Sequence, residues 1–150
     1  MKTRTVTAGM TIIAMLLVSS LAFAGWRGYR GSGGWGPGGA YQRMYDPKTV
    51  ETIKGTVESV EKTIPMKGMN YGIHVMLKAD KETIAVHLGP QWYIERQDVK
   101  IVKGDAIEVK GSRITFDKKP AIVAAEVKKG DQTLILRDAN GIPAWAGWRR

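Results

Sequence analysis

The stretch GIHVMLKADKETIAVHL, Gly72–Leu88, alternates apolar and polar residues on either side of a charged centre. A period of two is that of a β-strand with one buried face. The stretch therefore reads as a hairpin, with strands Gly72–Ala79 and Glu82–Leu88. If its loop is centred on Asp80-Lys81, with two or four residues, Ile73 faces Leu88, Val75 faces Val86 and Leu77 faces Ile84. Three apolar pairs on one face make the register self-supporting. The same register sets His74 opposite His87 on the other face, with Met76 diagonal to His87. A three-residue loop would shift the pairing and part the histidines.

Outward from the hairpin, short runs of the same kind recur between turn residues. Thr49–Lys62 reads as a first strand with Ile53, Gly55 and Val57 on one face, and Gly55 marks a bend or a close backbone approach. Pro65–Asn70 reads as a loop. Gly89-Pro90 breaks the sheet, and Gln91–Asp98 forms a turn of helix across one end. Ala106–Ser112, Ala121–Lys129 and Thr133–Arg137 complete the strands, and Pro143–Arg150 is an aromatic, basic tail. The expected fold is all-β: a small OB-like barrel of five or six strands with a short helical insert. A small β-sandwich is the alternative.

The N-terminus has a different character. Lys2 and Arg4 precede the apolar run Met10–Val18, and Ala22-Phe23-Ala24 supplies the small residues of a cleavage site. Met1–Ala24 is thus expected to be a signal peptide or a membrane anchor. Thr5–Ala24 is long enough to span a bilayer, whereas Ser19 and Ser20 interrupt the run and favour cleavage. Residues 25–45 read as a Gly-rich linker, with Trp26, Tyr29 and Trp35 set among glycines that resist ordering. Residues 46–150 are then the barrel domain. The expected location is periplasmic, or anchored to the inner membrane and facing the periplasm.

The formal charge of +9 falls to +7 once Lys2 and Arg4 leave together. Export turns that charge away from nucleic acid and toward a membrane surface or an acidic protein partner. The chain has no cysteine, which excludes disulfides, thiol catalysis and covalent c-type haem.

His74 and His87 are the only histidines. Opposed strand residues have Cβ atoms about 4.5–5.5 Å apart, close enough for two imidazoles to share an ion. Met76 beside them, with Met66 and Met69 nearby in sequence, would favour a soft or intermediate metal such as copper. Against this, two ligands make a weak site, and a purely structural pair is the competing reading. Trp92, Tyr93 and Arg96 form either a recognition patch or a plug for the barrel end. Trp145 and Trp148 pose the same choice between a binding tail and a strap. The acidic residues mostly alternate with apolar ones or lie beside lysines, and Gly31–Gly39 lacks the lysine of a phosphate loop. A non-enzymatic protein is expected, with an enzyme of unrecognised site as the remaining alternative.

Three pieces carry a resemblance: His87-Leu88-Gly89-Pro90 with Trp92; Gly104-Asp105 with Gly111-Ser112; and Leu136-Arg137-Asp138 leading into Trp145–Arg150. Together they resemble the domain shared by the magnetosome-associated proteins MamS and MamX, over roughly Glu51–Arg150. The resemblance implies an exported or membrane-anchored accessory protein linked to iron handling, with membrane-associated or periplasmic protein partners. MamX-like relatives carry haem motifs, and this cysteine-free chain cannot hold haem in that way. The run IHVM is also loosely similar to small periplasmic copper chaperones of the CusF type, which would imply a metal ion as the cargo.

Overall fold

Long, regularly alternating strands with small residues at their bends favour a sheet that curls until its edges meet. In the computed structural model, which describes residues 33–146, six strands do so: β1 (Val50–Thr63), β2 (Gly72–Lys78), β3 (Thr83–Pro90), β4 (Ala106–Phe116), β5 (Lys119–Lys129) and β6 (Gln132–Ile135). One helical turn, α1 (Gln91–Ile94), lies between β3 and β4. The strand order is β3-β2-β1-β4-β5-β6, and a parallel pairing of β3 with β5 closes β1 to β5 into a ring. This is the OB-like barrel, with β6 added along the second half of β5.

β1 serves two neighbours in succession. Its first half pairs with β4 and its second with β2, and Thr56 belongs to both ladders. Gly55 sits at that corner, where a Cβ would collide with the backbone of Lys78. Inside, Val57, Val75, Leu77, Ile84, Val86, Leu88, Val109, Ile122 and Val127 are almost wholly buried. Each such side chain stabilises the fold by about 1.5–3 kcal/mol.

The hairpin register holds from His74 to Lys78, opposite His87 to Thr83. It fails beyond, because the ladder shifts between Ile73 and His74 and sets Ile73 opposite Gly89 instead of Leu88. Gly89-Pro90 accordingly ends β3 without breaking it early. The fourth strand runs to Phe116, past Ser112, because Asp117 and Lys118 both adopt positive φ and turn the chain tightly into β5. The helical insert is shorter than Gln91–Asp98. The sixth strand stops at Ile135, and Arg137 instead bridges to Pro143.

The larger departure concerns the linker. From Gly33 onward it is a strap packed on the barrel, with Trp35, Tyr41, Gln42 and Tyr45 all buried. Aromatic burial offsets the entropy that glycine composition alone would leave dominant. Met1–Ala24, Trp26, Tyr29 and Trp148 lie outside the described residues. Among the described residues, no helix is long and apolar enough to cross a membrane.

Candidate functional site

His74 and His87 meet as the register requires, on the face of the hairpin turned away from the barrel interior. That face is not solvated. His74 is 7% exposed and His87 1%. The two rings lie 3.7 Å apart, centroid to centroid, and are parallel within 6°. Tyr41 from the strap stacks beyond His87, its hydroxyl 2.8 Å from His87 Nδ1. Phe116 packs edge-on against His87, and Thr63 Oγ1 lies 3.1 Å from His74 Nδ1.

This geometry bears on metal binding. An imidazole donates to a metal through a lone pair in its ring plane, so two parallel stacked rings aim their lone pairs side by side and not at one point. Met76 lies opposite Ala85 and is only half-buried. Among the described residues, no group of three or more histidines and carboxylates could hold an ion. Burial also keeps both rings neutral: it pushes His74 down to about 4 and, with His74 and Arg137 nearby, His87 down to about 3.

Beside this stack lies a residue whose role the sequence did not signal. Arg137 is 3% exposed and has no carboxylate partner among the described residues. Its Nη1 donates to the carbonyls of Leu88 and Ala124, its Nε donates to Gln42 Oε1 at 3.3 Å, and Trp145 covers it at 4.9 Å. One guanidinium thus ties β3, β5, the strap and the C-terminal segment together. The cost is a desolvated cation, and burial lowers its pKa to about 10. Arg137 Nη2 and Gln42 Nε2 have no hydrogen-bond partner among the described residues.

The expected surface patch divides in two. Tyr93 and Trp145 are buried, 6% and 2% exposed, and pack against each other with ring centroids 5.2 Å apart. They are anchors of the core, because Gly89 lets the Trp145 indole lie directly on the β3 backbone. Trp92 is half-buried and Arg96 exposed. Trp92 lines a surface groove of about 320 Å³ with Ile64, Met69, Asn70, Tyr71, Gln91 and Glu95.

The model of the MamS/MamX magnetosome protein family matches residues 49–134. The chain belongs to that family. No curated protein matches it. The MamS/MamX match spans β1 to the penultimate residue of β6, and so includes both histidines, Trp92 and Arg96. Trp35, Tyr41, Arg137 and Trp145, which close the outer face in this MamS/MamX protein, fall beyond it. The strap was concealed by its glycines, and Arg137 by its place in a polar run of turn residues, Arg137-Asp138-Ala139-Asn140-Gly141. The aromatic residues at both ends of the chain were a clue to the strap and tail, and the run Leu136-Arg137-Asp138 to Arg137.

Proposed function

We propose that the chain is an exported, non-enzymatic accessory protein that supports membrane-associated iron or redox handling through its surfaces. The observation that supports this most is the division of the polar and aromatic residues. The histidines, the side chains best suited to chemistry, are stacked and buried under the strap, while Trp92 on α1 and Arg96 just after it reach the surface. Family membership adds the magnetosome context, and the N-terminal sequence adds export to the periplasm or to its membrane.

The test is co-purification of the tagged full-length chain after mild extraction. Partner proteins should be recovered, and the double substitution Trp92→Ala with Arg96→Glu should reduce them while the circular dichroism spectrum is unchanged. Recovery of partner-free monomer alone overturns the proposal. A metal-carrier reading through His74, His87 and Met76 has less support, because the stack would have to open before both rings could face one ion. Titration with Cu(I), Cu(II), Zn(II) and Fe(II), comparing His74→Ala and His87→Ala with the parent chain, tests it. Unchanged affinity in both variants ends it.

A further inference from the structure

The groove beside α1 lies at one end of the barrel, and both ends of the described chain converge there. The β2–β3 ladder runs from Gly72 opposite Pro90 at this end to Lys78 opposite Thr83 at the other. Gly33 joins the barrel here: its carbonyl accepts from the Asn70 amide at 2.8 Å, and Asn70 lines the groove. The indole of Trp35 donates to the Asn70 carbonyl at 3.0 Å. At the other terminus, Trp145 lies on Gly89 and donates to the Trp35 carbonyl at 2.8 Å. Residues before Gly33 and after Ala146 therefore attach at the same end.

The sequence attached there has one chemistry. Trp26, Arg27, Tyr29 and Arg30 precede Gly33, Trp148, Arg149 and Arg150 follow Ala146, and no acidic residue is found in either stretch. Tryptophan and tyrosine favour the interface between water and lipid, and clustered basic residues favour anionic headgroups. The barrel end itself matches. Ile64 is 51% exposed and Tyr71 50%. Lys62 Nζ sits 5.5 Å from the centre of the Tyr71 ring, and Lys67 is exposed nearby in the β1–β2 loop. Such lysines can lay their stems on apolar groups and keep their charge at the headgroups. Glu95 also lines the groove, where its carboxylate accepts from Gln91 Nε2 at 2.6 Å.

Distance narrows the choice of occupant. Only Gly25–Ser32 separate Gly33 from the apolar segment ending at Ala24. Fully extended, those eight residues reach roughly 28 Å. A bilayer holding the apolar segment would thus lie close to the groove and a barrel length further from the β2–β3 turn. We propose that the barrel end bearing Ile64, Met69, Tyr71 and Trp92 rests against an anionic lipid bilayer. The inference depends on the membrane attachment included in the proposed function.

The absence of cysteine makes the test direct. Spin labels are placed on full-length Ile64→Cys, Tyr71→Cys and Lys81→Cys variants, mixed with vesicles of equal parts phosphatidylcholine and phosphatidylglycerol. Lys81, exposed in the turn at the far end, is the reference. Labels at 64 and 71 should gain access to oxygen and lose access to a water-soluble nickel chelate several-fold relative to 81. If the chain floats with the vesicles while all three labels remain equally aqueous, attachment stands and the orientation falls. A chain that does not float overturns both. Shielding at 64 and 71 that appears only with a protein partner, and without vesicles, overturns the lipid assignment in favour of a protein contact.

Discussion

The two faces of the β2–β3 hairpin are chemically opposite, the inner one buried along its length and the outer one buried at its histidines. Inside the barrel, Val75, Leu77, Ile84 and Val86 meet apolar residues of the other strands. On the outer face, His87 is covered by Tyr41 from the strap and by Phe116 from the end of β4, and His74 stacks on His87. The inner face is closed by elements that the ladder itself brings round. The outer face is closed by a glycine-rich segment with no regular structure beyond single turns. Burial at the first face follows from alternation, whereas burial at the second depends on a few aromatic rings.

The difference should be largest under acid. His74 and His87 are held neutral with folded pKa values of about 4 and 3, below the ordinary 6.5. The unfolded chain therefore takes up protons first as pH falls, and stability drops from about pH 6.5 down to about pH 3. A loss on the order of 8 kcal/mol is expected across that window. Chemical denaturation at successive pH values checks it, and the double variant His74→Phe with His87→Phe should flatten the slope. An unflattened slope would show that other groups govern acid unfolding.

Truncation compares the two covers directly. Trp35→Ala should cost about 3–5 kcal/mol and Leu77→Ala about 2–5 kcal/mol. A cost at Trp35 below about 1 kcal/mol, read from urea unfolding, would fall in the range of a surface change and make the strap dispensable. Tyr41→Phe keeps the stacked ring and removes only its hydrogen bond to His87, so about 1 kcal/mol should be lost. The smallest effect belongs to Arg113→Gln. This arginine pairs with Glu51 and Glu82 across the barrel wall, but all three side chains are about one-third exposed. A loss of about 1 kcal/mol or less is expected, and it should shrink further in high salt.

Much of the barrel was legible because alternation and turn residues are local signals. Five paired positions of the hairpin, and the corner at Gly55, follow from them. The bulge at Ile73 was hidden, since nothing in a strand's own pattern marks where its partner gains a residue. The Asp117-Lys118 turn was hidden as well, because lysine, unlike aspartate, is not a usual choice for positive φ and no glycine marks the turn. For the histidines, the sequence carried the pairing but not the cover. Alternation assigns a residue to a side of the sheet and is silent on what arrives there from 46 positions away, as Tyr41 does at His87. Tyr93 and Trp145 were open between plug and patch for the same reason.

The hydrogen bond from Trp145 to the Trp35 carbonyl spans 110 positions. A contact between residues so near the two ends of the described chain cannot form until nearly all of it is available. Closing so long a loop carries an entropic cost before any contact rewards it. The clasp between Trp145 and the strap is thus secured late, and a partly synthesised chain lacks it. In an exported chain, as proposed, this clasp acts as a timer: the two ends of the fold cannot be locked together until Trp145 has arrived.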